Sequence, residues 1–439
     1  MFDSVLVANR GEIACRIIRT LRRLGIRSVA VYSEADVGAK HVREADHAEP
    51  IGEAPAPASY LNPGGIVEAA RRSGARAVHP GYGFLSESSS FAKACLGAGL
   101  VWIGPDPDVL DLTGDKVAAR RAFDAAGFPV LPGAGPFADP GEAAGEGSRL
   151  GYPLMVKAVM GGGGIGMGVA TDDASLAAAV ETASTRGARF FADPAVYVER
   201  FVPHARHIEV QVVADGSRVV HLFERECSVQ RRHQKVLVET PSPALDDALR
   251  ERMTSAAVAA MRSIGYRGLG TVECVITPDG EFFFLEVNAR LQVEHPITEV
   301  MCSGVDLVEQ QLRIAAGEGI TLGPDPPERS GHAIECRLYA EDPRTFLPSP
   351  GTLSRLELPE GVRTDMGYDA GDLVPMFYDP LIGKLVVHGS NREDAIGRAR
   401  RALRATLIEG VKSNIDTHLR ILDDERFVSG RYDTGLLGK

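Results

Sequence analysis

Five hydrogen-bonding side chains alternate along one short segment of this chain, between positions 282 and 296. They are Glu286, Asn288, Arg290, Gln292 and Glu294. The intervening positions are apolar: Val287, Ala289, Leu291 and Val293. If the segment is extended, side chains two residues apart point the same way. The pattern therefore predicts the floor of a polar ligand site over an apolar back face, with a solvated edge strand as the alternative.

A second carboxylate, Glu273, is expected to join this floor through a hairpin with its turn at 278–280. If Ile276 pairs with Glu281, Glu273 lies diagonal to Glu286 on the same face, whereas a slip of one residue would reverse that. Two close carboxylates repel each other unless a cation lies between them, and their oxygens suit magnesium bridged to phosphates. We expect a divalent metal with a nucleoside triphosphate; the alternative is that Glu273 faces solvent alone.

A glycine run follows a strand-like segment that carries Lys157. Four consecutive glycines at 161–164 come four residues after this lysine. Glycine lets backbone N–H groups close around phosphate oxygens, and a nearby lysine supplies charge. The run is not a Walker loop, because no Gly-Lys-Ser/Thr follows. It predicts either a phosphate-binding lid that closes over nucleotide or an ordinary flexible loop.

Further candidates for an anion site lie in three other segments. They are Lys116 beside a predicted Asp115 N-cap, His207 with Glu209, and Gln230, Arg231, Arg232, His233 and Lys235. Because Asp and Glu (59) outnumber Lys and Arg (48), gathered cations indicate local anion binding. Solvated surface positions are the alternative for Lys116, Arg231 and Arg232 individually.

Bulk properties limit the class of protein. The 439 residues are 44% hydrophobic and 24% charged, as expected for about three globular domains. A net charge of −11 argues against nucleic acid as a partner. The N-terminus lacks signal-peptide features and no apolar run approaches the ~18 residues of a membrane span, so we expect a cytoplasmic protein without membrane contact. Six scattered cysteines predict reduced thiols rather than zinc ligands or disulfides.

The elements that must position these residues follow from the hydrophobic pattern. Residues 1 to about 110 alternate short strands with amphipathic helices, which predicts a parallel sheet covered on both faces. The turns at 8–12 and 79–87 lie where such sheets bind ligands, although neither contains GxGxxG.

The remainder is expected to divide into three further parts. Residues 129–148 are rich in Gly, Pro and Ala and predict a linker, followed by a strand-helix module at 152–203. Later elements are predicted as strands at 207–214, 218–225, 270–277 and 281–287 with a helix at 244–264, then strands HAIECRLYA and LIGKLVVHG and a helix at 392–407. No internal repeat of solenoid type is visible.

Taken in order, the motifs resemble those of the biotin carboxylase family. They are GYGFLSE, GDK, the lysine-then-glycine loop, RHIEVQ, QRRHQK, EVNARLQVEHP and HAIECR. The resemblance implies an α/β and α+β fold in three domains: a Rossmann-like pre-ATP-grasp domain (1–113), an ATP-grasp core (114–330) with a mobile glycine-rich lid (about 131–203), and a C-terminal α+β domain (331–439). It also implies carboxylation of carrier-attached biotin by ATP and bicarbonate, the first half-reaction of an acyl-CoA or related carboxylase.

The resemblance also assigns roles. ATP would be held by Lys116, Lys157, Gly162, Gly163, Gly164, Glu199, His207, Gln230, His233 and Lys235. Magnesium, or manganese, would be held by Glu273, Glu286 and Asn288. The substrate residues would be Tyr82, Arg290, Gln292, Val293, Glu294 and Arg337, of which Glu294, Arg290 and Arg337, with Lys235, would be catalytic.

The implied chemistry is consistent with those residue types. Bicarbonate is a poor nucleophile, so Glu294 would take its proton as it attacks the γ-phosphate, worth about 10²–10⁴ in rate. Arg290 would hold the anion bidentately. Carboxyphosphate would break to CO₂ and phosphate, that phosphate would deprotonate biotin, and Arg337 would stabilise the enolate. The chain lacks a Met-Lys-Met biotinylation site, so the carrier is expected on another chain or on a part missing from this one, beside a carboxyltransferase.

Three positions depart from the family pattern. Met160 and Ile165 stand where many members have Gly and a basic residue in the lid, and Ile165 resembles the urea-carboxylase branch. Arg23 replaces an acidic residue that pairs with Arg19 across the dimer in some members, so a homodimer is possible but less secure. The alternative functions are one half of a carbamoyl phosphate synthetase and a catalytically silent nucleotide-binding protein.

Overall fold

The computed structural model describes residues 1–160, 167–191, 193–232, 234–323 and 325–438. The N-terminal part alternates strands and helices as the sequence predicts. Its elements are β1 (Ser4–Val7), α1 (Gly11–Arg23), β2 (Arg27–Ser33), α2 (Lys40–Glu44), β3 (His47–Gly52), α3 (Pro63–Ser73), β4 (Ala77–His79), α4 (Ser89–Gly97), β5 (Val101–Trp102) and α5 (Pro107–Gly114). The strands form one parallel sheet in the order β3-β2-β1-β4-β5, which confirms that prediction.

The next unit is a small four-stranded sheet with its helices. Its elements are α6 (Lys116–Ala125), β6 (Gly133–Phe137), α7 (Pro140–Ala144), α8 (Gly147–Leu150), β7 (Leu154–Ala158), β8 (Gly168–Ala170), α9 (Asp173–Phe191) and β9 (Val196–Arg200). The sheet order is β6-β9-β7-β8. The prediction of a linker at 129–148 is therefore wrong, because these residues form β6, α7 and the start of α8. β6 is an edge strand, the position in a sheet where Gly and Pro are tolerated.

The described rest of the chain contains one eight-stranded sheet and two separate two-stranded sheets. Its elements are β10 (Arg206–Asp215), β11 (Val219–Arg231), β12 (Gln234–Thr240), α10 (Asp247–Ser263), β13 (Arg267–Ile276), β14 (Phe282–Asn288), α11 (His295–Met301), α12 (Leu307–Ala315), β15 (His332–Tyr339), β16 (Gly351–Thr352), β17 (Arg355–Glu357), β18 (Arg363–Met366), β19 (Leu373–Val374), β20 (Leu381–Gly389), α13 (Arg392–Ala405), β21 (Leu407–Glu409), α14 (Ile415–Asp423) and α15 (Glu425–Val428). The order β14-β13-β10-β11-β12-β15-β20-β18 joins the predicted second and third domains through the β12–β15 pairing.

The polar segment that opened the sequence differs from its prediction in two ways. The prediction that Ile276 pairs with Glu281 is wrong, because Ile276 pairs with Phe282. An irregularity in the register after Glu273 then places the Glu273 carboxylate directly opposite Glu286. Such a bulge shifts the register by one residue without a sequence signal of its own. The strand also ends at Asn288, because the following residues turn into α11, which has a proline in its first turn.

All six cysteines are buried and unpaired, as expected. Within the described ranges, no helix is long and apolar enough to cross a membrane.

Candidate functional site

A row of charged side chains crosses the large sheet on adjacent strands. Glu286, Glu273, Glu209 and Arg225 are successive cross-strand partners on β14, β13, β10 and β11. Directly opposed residues project to the same face of a sheet. Glu209 and Arg225 are fully buried, and the Arg225 Nε donates to Glu209 at 2.5 Å. The sheet therefore presents four charges in a line.

Lys235, on β12, links three carboxylates of this face. Its Nζ lies 2.5 Å from Glu209, 2.8 Å from Glu273 and 2.7 Å from Glu294. An ammonium has three donors, so these contacts use all of them. The sequence predicted Lys235 and Glu294 as site residues, and the structure brings them into direct contact.

Glu294 lies outside the strand, just before α11, yet it reaches the same cluster. One oxygen accepts from Lys235 and the other accepts from the Arg337 Nη2 at 2.6 Å. Burial alone would raise the pKa of Glu294, but Lys235 and Arg337 together hold that pKa well below its usual range. The carboxylate is therefore ionised, and it is a weak base as long as both cations contact it.

Arg290 is held by an acceptor on three sides. Its Nε donates to Glu87 at 2.9 Å, its Nη2 to the Asn288 Oδ1 at 2.6 Å, and its Nη1 to the Gln292 Oε1 at 3.1 Å. The Glu87 carboxylate also accepts from the Ala289 N–H at 3.1 Å. Sequence reasoning missed Glu87 as a site residue, although it ends the motif GYGFLSE. No local pattern relates it to a partner 203 positions away.

Glu273 and Glu286 form the candidate metal site. Burial would raise the pKa of Glu273, but Lys235 and His207, whose Nε2 lies 2.7 Å away, hold it well below its usual range. Burial and the charge of Glu273 raise the pKa of Glu286 despite Lys116 and Lys157. Asn288 donates from Nδ2 to Glu273 at 2.9 Å, while its Oδ1 accepts from Arg290. Paired carboxylates with one destabilised anion fit a hard divalent cation.

The predicted phosphate-side residues converge beside this pair. Lys116 begins α6, and the Asp115 side chain caps that helix by accepting from the Val117 and Ala118 N–H groups. Burial lowers the pKa of Lys116, against the field of Glu286. Lys157 lies 2.5 Å from Glu199 in a mostly buried ion pair.

The basic segment around Lys235 divides between two roles. The Gln230 side chain contacts the His207 Nδ1, so both predicted ligands face the cluster. Arg231 instead forms a two-pronged ion pair with Glu341, at 2.7 and 2.9 Å, which links β11 to the residues after β15. The predicted Gly162, Gly163, Gly164 and His233, together with Ile165, lie outside the described residues.

The remaining predicted substrate residues are Tyr82 and Val293. Tyr82 follows Gly81, whose positive φ of +65° lets the turn pass against Asn9. The Asn9 amide donates to the Tyr82 carbonyl at 2.7 Å, and the Tyr82 hydroxyl donates to Glu12. Val293 precedes Glu294, and its carbonyl accepts from the Lys384 Nζ at 2.8 Å.

Arg19 and Arg23, which the resemblance associates with a dimer contact in some members, are paired within the chain. Arg19 contacts Asp365 at 2.5 Å. Arg23 contacts Asp306 at 2.9 Å and Glu309 at 2.5 Å. The positive charge at position 23 thus has acidic partners on α12 and the residue before it.

Comparisons with known proteins cover the whole chain. Three family models match: "Biotin carboxylase, N-terminal domain" over 1–110, "Carbamoyl-phosphate synthase L chain, ATP binding domain" over 115–322, and "Biotin carboxylase C-terminal domain" over 335–439. "Biotin carboxylase 2" of Bacillus subtilis is 49% identical and is aligned over 100% of this chain and 99% of its own. "Biotin carboxylase" of Allochromatium vinosum is 47% identical over 98% of this chain and 96% of its own.

A solved structure is similarly close. The biotin carboxylase domain dimer of 2-oxoglutarate carboxylase from Hydrogenobacter thermophilus, in complex with MgADP, ADP and bicarbonate, superposes with a TM-score of 0.96. It is 41% identical, and the match covers 100% of this chain and 97% of that one.

Proposed function

The chain belongs to the biotin carboxylase family, and from that premise we propose how its residues divide the reaction. The protein is an ATP-grasp ligase of the carboxylation half-reaction of biotin-dependent carboxylases. The resemblance seen in the sequence is confirmed, as is the three-part α/β and α+β fold. The two biotin carboxylase models at either end of the chain disfavour a carbamoyl phosphate synthetase half.

The nucleotide side is formed by the cations next to Glu286. Lys116, Lys157, His207 and Lys235 would contact the phosphates of ATP, with Glu199 towards the adenine and Gln230 towards the ribose or phosphates. Glu273, Glu286 and Asn288 would hold Mg²⁺, or Mn²⁺, which when bound supplies positive charge to the phosphate oxygens. Lys157 must then exchange its contact with Glu199 for a phosphate.

The bicarbonate side is formed by Arg290, Gln292, the Val293 N–H and Glu294. Arg290 already has a fixed orientation, because Glu87 and Asn288 accept two of its donors. Glu294 would take the proton of bicarbonate as the anion attacks the γ-phosphate. When Lys235 turns to a phosphate, Glu294 loses one of its two cations and becomes more basic. The same lysine thus couples nucleotide binding to activation of the base.

The biotin side is formed by Arg337 and Tyr82. Carboxyphosphate would break to CO₂ and phosphate, the phosphate would take the proton of biotin N1′, and Arg337 would stabilise the enolate oxygen. The partners proposed are a biotinyl carrier and a carboxyltransferase, with a second copy of the chain as a further candidate. A cytoplasmic location remains a prediction.

The arrangement of Glu294 carries the proposal: a buried carboxylate between Lys235 and Arg337, one residue from the predicted bicarbonate N–H. The test is phosphate release from MgATP with and without bicarbonate and free biotin. We expect release to require bicarbonate and to rise with biotin. Release that ignores both would contradict the assignment, and no release at all would favour a silent nucleotide-binding protein.

A further inference from the structure

We propose that a buried ion pair between Lys384 and Glu12 is a positioning device for the bicarbonate and biotin sites. The inference rests on the proposed function. Neither residue is assigned to substrate, and each acts through a neighbour. Lys384 fixes the backbone before Glu294, and Glu12 fixes the hydroxyl of Tyr82.

Lys384 is placed to act on the bicarbonate turn. It lies on β20, directly opposite Arg337 of β15, and is fully buried. Its Nζ donates to the Val293 carbonyl at 2.8 Å. That carbonyl belongs to the planar peptide that joins Val293 to Glu294, so holding it sets the direction in which Glu294 leaves the turn. A buried ammonium needs such partners, because an unpaired one is very costly.

Glu12 supplies the balancing charge and the second link. It lies in the first turn of α1, where the helix dipole favours a carboxylate. One oxygen lies 3.0 Å from the Lys384 Nζ, and the other accepts from the Tyr82 hydroxyl. Glu12 is 3% exposed, so water does not screen the pair. Tyr82, Glu12, Lys384 and Val293 therefore form one continuous set of contacts.

The three domains meet in this set. Glu12 comes from α1 and Tyr82 from the turn after β4, both in the N-terminal part, Val293 from the central part and Lys384 from the C-terminal part. If the pair only held the domains together, its loss would lower stability and leave the Michaelis constants of the substrates unchanged. A positioning pair also changes the Michaelis constants of the two substrates that the set touches.

The experiment measures KM for bicarbonate, free biotin and ATP, with thermal midpoints, in Lys384→Met and the near-isosteric Glu12→Gln. We expect Lys384→Met to raise the bicarbonate KM about tenfold or more, equivalent to losing about 1.4 kcal/mol. We expect Glu12→Gln to raise the bicarbonate and biotin values about threefold or more. The ATP KM should stay within about twofold in both.

The matched control is Arg16→Met. Arg16 lies one turn further along α1, is 3% exposed and joins Glu299 at 2.7 Å and Asp306 at 2.8 Å. It should lose stability without a selective change in KM. If Lys384→Met does not fold, Glu12→Gln decides. Parallel shifts of all three constants, unchanged constants in Glu12→Gln, or the same selectivity in Arg16→Met would overturn the inference. Wild-type turnover indifferent to bicarbonate and biotin would instead refute the proposed function.

Discussion

Replacing Lys235 by methionine removes an ammonium that contacts three buried carboxylates. In the wild type Glu209, Glu273 and Glu294 lie 2.5, 2.8 and 2.7 Å from its Nζ. Methionine keeps much of the side-chain volume but leaves these carboxylates with Arg225, His207 and Arg337 as their contacting cations. We expect the variant to be less stable, by an amount that grows with pH.

The magnitude follows from the burial of the cluster. Breaking a buried ion pair by removing one partner costs about 3–5 kcal/mol near neutral pH. In the wild type the pKa values of Glu273 and Glu294 are well below the usual range, so their stabilising contribution is present above the unfolded pKa and is lost only in acid. In the variant at least one of them has a raised pKa and takes up a proton on folding. Each such proton makes stability fall with pH by about 1.4 kcal/mol per unit.

The assay is urea unfolding of both proteins between pH 5.5 and 7.5. If the variant takes up one proton on folding, its deficit in free energy of unfolding relative to the wild type increases by up to about 2.8 kcal/mol from pH 5.5 to pH 7.5. The control is Lys93→Met, because Lys93 and Asp111 form an exposed pair at 2.8 Å that solvent and salt screen. A deficit for Lys235→Met that is independent of pH, or no larger than that of the control, would refute the reasoning.

Three further variants test Glu335, which lies two positions before Arg337 on β15, and two residues near the proposed bicarbonate side. Burial raises the pKa of Glu335 to about 8 against the fields of Lys384 and Arg337, so the wild type loses stability as pH rises towards 8. Glu335→Gln should remove that loss, so its free energy of unfolding should rise by up to about 2–3 kcal/mol relative to that of the wild type between pH 6 and 8. Thermal midpoints of the two proteins that differ by the same amount at every pH would contradict this. Arg290→Lys loses the planar guanidinium, so the bicarbonate KM should rise about 10-fold or more while the ATP KM changes little. Equal changes in both constants would contradict the assignment of Arg290 to bicarbonate. Glu87→Gln keeps the side-chain shape but weakens the hydrogen bond to Arg290, so steady-state kinetics should show a rise in bicarbonate KM of about threefold. A larger rise than that of Arg290→Lys would contradict the role of Glu87 in orienting Arg290.

The sequence predicted much of the site because period-two spacing survives in the structure where strands exist. Glu286 and Asn288 share a face of β14, and Val287 between them is buried, as are Ala289 and Leu291 beyond the strand. Beyond Asn288 the strand ends, yet Arg290 and Gln292 still hydrogen-bond each other. Asn288, Arg290 and Gln292 thus meet as the pattern predicts, but Arg290 and Gln292 lie outside the strand.

What the sequence could not show depends on long-range packing. The pairing of Glu273 with Glu286 needs a register irregularity that leaves no local signal. Glu87, Glu12 and Lys384 each reach the site from another part of the chain. β3 was not predicted either, since His47–Gly52 contains a proline, which this edge strand tolerates.

The central claim is that bicarbonate attacks the γ-phosphate of ATP while Glu294 accepts its proton. It is tested most directly by supplying ¹⁸O-labelled bicarbonate, quenching early and measuring the isotope in the released phosphate by mass spectrometry. The account predicts that phosphate from the wild type carries one oxygen from bicarbonate, and that Glu294→Gln, which keeps nucleotide binding, releases little labelled phosphate. Phosphate that contains oxygen from water alone, or undiminished labelling by the variant, would contradict it.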